Sequence, residues 1–247
     1  MEYTYIMKRL KKILFNKPIL QYESAIKEYP NIVSSAKSNV PDWYKKIPKW
    51  KNNEVLSQNA QINSTVKQCM PFLETLTTGY IVKLPFDIYV KNNNGAPFIT
   101  WKPGDLDKYM PSWRANVSDS NIVPDGYFPL EYTWKLNCSL KVSKKYSMLI
   151  THPLNRNDLP FKTISGIIDG NFAVAHNGSV PFYIKNNFEG IIPQGTPIAQ
   201  IIPFYNQSWL LQMKNGLVEE SEKNVFKSNS IFSGFYKKNF WQRKDYN

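Results

Sequence analysis

Between residues 132 and 204 the chain is a succession of short apolar segments separated by Gly, Pro and Asn. They are YTWKLNCSLKVS (132–143), YSMLITHPL (146–154), FKTISGIID (161–169), FAVAHNG (172–178), VPFYIKN (180–186), FEGIIP (188–193) and PIAQIIPF (197–204). Segments rich in β-branched and aromatic residues, recurring at roughly eight to twelve residues with turn residues between them, read as strands. No helical period intervenes that could carry a parallel crossover, so a βαβ architecture is excluded and an all-β sandwich or barrel is expected. Upstream, GYIVKLPFDIYV (79–90) and PFITW (97–101) flank KNNNGA, whose polar Gly-containing turn predicts a hairpin. The stretch between them and the later strands, residues 102–130, has turn residues and no sustained period, which predicts a long loop.

The flanks have a different character and divide the chain into three parts: an arm over 1–64, a β domain over 65–209 and a C-terminal arm over 210–247. Near the start, Ile6, Leu10, Ile13 and Leu14 fall at helical spacing with Lys8, Arg9, Lys11 and Lys12 mostly between them. Such a basic amphipathic helix can pack on its own domain or lie on an anionic surface. Over 29–50, Pro30, Pro41 and Pro48 discourage helix, and aromatics stand between them, which predicts an extended arm laid on a surface. Trp43 and Tyr44 either anchor that arm or stack on bases. The C-terminal stretch turns charged and predicts a short helix or an arm. At 247 residues with 42% hydrophobic and 15% aromatic content, the chain can bury one principal core.

Lys plus Arg number 31 against 19 Asp plus Glu, a net charge of +12, which favours phosphate backbones or acidic surfaces. A chain whose codons favour Lys, Asn and Ile would show the same excess. No apolar run is long enough to cross a bilayer as a helix, and no secretory leader is evident, so a virion or host cytoplasm is the expected setting. Cys69 and Cys138 stand far apart without metal-ligand spacing. His152 and His176 lack the His-x-Asp pairing of a two-histidine, one-carboxylate iron site, so no metal site is expected. No nucleophile elbow, P-loop or dinucleotide fingerprint is present.

Two stretches carry the chemistry that remains. In GIIDGNF (166–172), Asp169 either caps a turn or activates a water. In GTPIAQIIPF (195–204), Gln200 sits inside an apolar strand, where a buried amide must be hydrogen-bonded, either across the core or to a ligand. Taken in order, residues 136–204 resemble the trimeric dUTPase family, whose fold is the β-clip, a jelly-roll-like barrel. GIIDGNF is similar to that family's Gly-x-Ile-Asp-x-x-Tyr motif, and GTPIAQIIPF to its Gly-x-x-Ile-Ala-Gln motif. The resemblance implies that Asp169 would activate water, Phe172 would support the deoxyribose and Gln200 would reach toward phosphates between subunits, with Mg²⁺ neutralising the phosphate charge. Where that family carries Arg-Ser-Ser, this chain has HPLNRND (152–158), so a rebuilt phosphate site would use Arg156 and Asp158.

The arm VPDWYKKIP, the block 146–172 and the ending followed by Trp209 also resemble a family of proteins recurrent in bacteriophages and some bacteria, to which no function is assigned. That resemblance implies a phage origin. The resulting expectation is a phage-encoded, non-enzymatic structural or binding protein on a dUTPase-like scaffold, needing no cofactor and forming homo-oligomers or docking on a neighbouring virion protein. One alternative is a Mg²⁺-dependent nucleotide pyrophosphohydrolase using Asp169. A second is a nucleic-acid-binding module using Lys8, Arg9, Lys11, Lys12, Trp43 and Tyr44.

Overall fold

The structure, a computed structural model, describes residues 17–51, 64–102, 107–116, 123–170, 172–175, 178–229 and 234–246. The basic helix expected near the N-terminus, with Lys8, Arg9, Lys11 and Lys12, lies outside them, as does His176. In chain order the elements are β1 (Gln21–Ser24), β2 (Val33–Ser35), α1 (Asp42–Lys46), α2 (Met70–Thr77), β3 (Tyr80–Lys83), β4 (Ile88–Asn93), β5 (Ala96–Thr100) and β6 (Ser112–Asn116). They continue with β7 (Leu130–Lys135), β8 (Cys138–Lys141), β9 (Tyr146–Thr151), β10 (Phe161–Thr163), β11 (Gly166–Asp169), β12 (Ser179–Ile184), β13 (Gly190–Ile192), β14 (Pro197–Tyr205), α3 (Leu217–Asn229) and α4 (Phe235–Asn239).

Strand dominates, as the spacing of apolar segments predicts. The strands do not close into the expected barrel. Among the described residues they form open sheets: β11-β9-β14-β3-β2, β10-β12-β7-β6, β13-β4-β5 and the pair β1-β8. Every strand pair is antiparallel. Two segments that read as single strands are each split between sheets. The 79–90 stretch breaks at Leu84–Asp87, where Pro85 interrupts the ladder, and 132–143 breaks at Asn137, held at φ 57°. Each break lets the chain change sheets within a few residues, and sheets that exchange strands this way need not close on themselves.

The predicted hairpin is β4–β5, with Asn94 and Gly95 both at positive φ, the geometry that an Asn-Gly pair adopts in a two-residue turn. Helix α2 occupies a stretch read as the beginning of the strands. Pro71 suits its first turn, and the hydroxyls of Thr75 and Thr77 bond back to the carbonyls of Phe72 and Leu73. Within the expected 102–130 loop, β6 pairs with β7. The Pro-rich stretch supplies β2, which pairs with β3, and places Ile32, Val33 and Ala36 in the core.

Core packing centres on Trp134 of β7. Its ring stacks on Phe182 at 3.6 Å between centroids and meets Phe161 edge-on at 4.9 Å. The Trp134 indole N–H donates to Thr163 Oγ1, whose hydroxyl donates to the Ile198 carbonyl, so the polar edge of the ring is satisfied inside the core. Cys138 is buried in the same core, and burial pushes its thiol up to about 12.

Candidate functional site

Asp169 ends β11, the outermost strand of the five-stranded sheet, opposite Ser147 of β9. Its carboxylate accepts from the Ser147 hydroxyl at 2.9 Å, while its backbone carbonyl accepts from Phe172 N–H and closes the turn. Gly170 is required there by packing: a Cβ on it would lie 2.2 Å from the Tyr146 carbonyl oxygen and 2.4 Å from a Val142 methyl. Phe172 is exposed beyond the turn.

Gln200 pairs with Thr151, four residues along β9 from the partner of Asp169. The two side chains lie on the same sheet face, separated by about 13 Å along the strand at ~3.3 Å per residue. Gln200 is 1% exposed and its amide is fully engaged within the chain. Its oxygen accepts from Leu154 N–H at 2.8 Å, and its nitrogen donates to the carbonyls of Thr75 at 2.9 Å and Thr78 at 2.7 Å. The side chain thereby ties the end of α2 and the 153–154 turn to the sheet.

The turn it holds contains the other sequence candidates. Arg156 makes a two-pronged bond to Asp158, Nε to Oδ1 and Nη2 to Oδ2, both at 2.8 Å. Burial raises the Asp158 carboxyl, but the Arg156 bonds and charge outweigh it and hold it below its ordinary value. His152, buried beneath, accepts from Thr163 N–H at Nδ1 and contacts the Arg156 carbonyl at 3.1 Å through Nε2, a pattern that requires the neutral Nε2–H tautomer. Burial accordingly lowers it to about 4.

Trp43 and Tyr44 sit on α1 and pack onto α2. Tyr44 is buried and stacks on Phe72, with ring centroids 5.8 Å apart, and Lys67 lies over its ring at 4.6 Å. Trp43 meets both rings edge-on, with its indole N–H near Asp158. These two aromatics serve as anchors for their segment. The structure therefore brings Trp43, Arg156, Asp158 and Gln200 into one structural junction and leaves Asp169 and Phe172 apart from it.

Two apolar surfaces were not singled out from sequence. The first is a cleft of about 490 Å³ between the hairpin β4–β5 and strands β6–β7, lined by Phe98, Trp101, Met110, Trp113, Leu130 and Tyr132. It lies between two sheet edges, since β5 and β6 are each the last strand of their sheets. Three of its polar groups are already partnered. Tyr132 Oη donates to the Pro97 carbonyl, Trp101 Nε1 to Asp107 and Lys135 Nζ to the Lys108 carbonyl. Trp113 is 63% exposed and Phe98 is similarly open. The sequence signal was Trp113 inside the stretch 102–130 read as a long loop, close after Trp101 at the end of the predicted hairpin.

The second surface follows β14. Asn206 N–H still bonds to the Lys145 carbonyl, and the chain then runs without regular structure to α3. In that run Trp209 is 84% exposed, Leu210 91%, Leu211 99% and Met213 90%. The chain returns to the body at its far end, where Trp241 Nε1 and Lys244 Nζ both donate to Glu74 of α2, and Tyr246 meets Tyr80 edge-on. Among the described residues no three His, Cys, Asp or Glu side chains are grouped as a metal site would need, and no helix is long and apolar enough to cross a membrane.

No protein-family model matches the chain, and no curated protein matches it in sequence. Among solved structures, it is similar to the native EIAV dUTPase at 11% identity and a TM-score of 0.30, over 80% of this chain and 98% of that one. It is also similar to a point mutant of the dUTPase of Staphylococcus bacteriophage 80alpha, at 12% identity and a TM-score of 0.26, over 43% of this chain and 96% of that one. Both likenesses are too distant to carry an argument about fold or activity.

Proposed function

We propose that this chain is a non-enzymatic structural or binding protein, of phage origin and built on a dUTPase-like β scaffold, that works by self-association. One observation carries the reading: the stretch 209–213 holds four large apolar side chains almost wholly in solvent, although the chain is tied to its own body on both sides. Monomers rarely leave such a patch uncovered, and the Trp at its start suits an interface anchor. The order of the motif-like segments over 136–204 supports the scaffold.

The hydrolase alternative has less to stand on. Each of its polar candidate groups is bonded within the chain: Gln200 to three backbone groups, Arg156 and Asp158 to each other, and Asp169 to Ser147. Light scattering on the intact chain tests the reading. A mass that is a multiple of 28.7 kDa at micromolar concentration, falling to that of a single shortened chain when residues 207–213 are deleted, is the expected result. Pyrophosphate release from deoxynucleoside triphosphates with Mg²⁺, lost in Asp169→Asn, would replace it with the hydrolase reading.

A further inference from the structure

We infer that the exposed stretch 207–213 of one copy seats, as an extended strand, in the Phe98–Trp101–Trp113–Tyr132 cleft of a second copy. This rests on the self-association proposed above and names its receptor.

Shape is the first argument. Trp209, Leu211 and Met213 recur at a spacing of two, so in extended chain they share one face. Among the described residues the stretch has no helix or strand partner, and it is exposed throughout. The cleft lies between β5 and β6, each the last strand of its sheet among the described residues, which an added strand can pair with while its alternate side chains fill the space between.

Chemistry is the second. Because Tyr132, Trp101 and Lys135 already hold internal hydrogen bonds, the cleft asks little polar complementarity of its occupant. Tyr132 is buried at the cleft floor and packs on Phe182, whereas Phe98 and Trp113 are open to solvent and can cover an apolar occupant. An aromatic occupant such as Trp209 covers about 200 Å².

Charge is the third. The chain is +12 overall, so two copies repel unless their facing surfaces differ in sign. Lys91, Lys108 and Lys135 stand near the cleft, Arg114 beside them being paired with Glu131, whereas Glu220 and Glu222 follow a few residues after Met213, in the first two turns of α3, where Glu219 is paired with Lys223. Seating the stretch in the cleft carries those carboxylates toward the basic rim. Donor and receptor are different surfaces of the same chain, so the contact is heterologous and repeats around a ring or along a filament.

Complementation between two variants tests this in the full-length chain. Trp209→Ala/Leu211→Asp disables the donor and Phe98→Asp/Trp113→Ala the receptor. All four side chains are solvent-exposed, so both variants should keep the wild-type circular dichroism and melting temperature. Each alone is expected to scatter as a 28.7 kDa monomer. Mixed, they retain one intact donor and one intact receptor and should form a dimer of twice that mass.

If the receptor variant stays assembled while the donor variant dissociates, the stretch docks elsewhere; self-association then stands and this inference fails. A mixture that remains monomeric rejects it in favour of a symmetric contact. Wild-type protein that is monomeric at about 10 μM removes both proposals.

Discussion

Residues 152–159 and residues 207–213 are both irregular segments attached to the ends of neighbouring strands, β9 and β14, yet they dispose of their chemistry in opposite ways. The first is polar and its groups are turned inward. His152, Arg156 and Asp158 bond to one another's chain segment, and Gln200 reaches up from the sheet to hold Leu154. The second is apolar and turned outward, with Leu211 almost wholly in solvent. A segment whose polar groups are satisfied within the fold is structural, however catalytic its residue types look. A segment whose apolar groups are unsatisfied within the fold is the one that needs a partner.

Substitutions in the two segments should therefore be felt in different measurements. The largest effect is expected from Gln200→Leu, which removes the amide but leaves Leu154 N–H and two α2 carbonyls buried and unpaired. A loss of about 4 kcal/mol in urea unfolding follows. A loss below about 1 kcal/mol would place the amide in a replaceable role and weaken the contrast.

Next comes the pH response of His152. The folded chain holds it neutral down to about pH 4, while the unfolded chain protonates near 6.5. Between those values the unfolded state binds a proton that the folded state refuses, so stability is complete above pH 6.5 and falls as pH drops toward 4. The loss is about 3 kcal/mol, accumulated at up to ~1.4 kcal/mol per pH unit. Unfolding curves at several pH values, set against those of His152→Gln, isolate this contribution from the carboxylates, and equal slopes would mean that the histidine is solvated.

Gly170→Ala should cost about 2 kcal/mol, because the added methyl meets the Tyr146 carbonyl and a Val142 methyl in a packed turn. If instead the variant melts with the wild type, the turn is looser than its contacts indicate. The smallest stability effect belongs to the outward segment. Leu211→Ala should change dilute-protein unfolding by less than about 0.5 kcal/mol while reducing the scattering mass. A large loss of monomer stability there would show the segment to be part of its own fold.

Several of these features were legible before the fold was known. The Asn-Gly pair in KNNNGA specified its hairpin because only residues tolerant of positive φ make that turn. Gln200 stood out because an amide in an apolar strand must be bonded, whereas the carboxylate of Asp169 bonds the Ser147 hydroxyl across the strand pair and leaves the turn to its backbone carbonyl. Other features depended on contacts distant in sequence. Pro85 and Asn137 divide single apolar runs between sheets, and α2 forms where strands were expected, because the tertiary surroundings reward each departure.

Composition and spacing were enough to determine that the chain is mostly antiparallel β, since side-chain period and turn chemistry are local properties of consecutive residues. Which strands share a sheet, and that those sheets stay open, depended on pairings tens of residues apart. The same holds for the functional residues. Arg156, Asp158 and Gln200 are polar residues of catalytic type, and the folded chain alone shows them engaged with each other's surroundings. Trp209 ends the expected β domain and Leu211 and Met213 begin the expected C-terminal arm, and only the path of the backbone places all three in water, because burial is a property of the whole fold and not of the side chain.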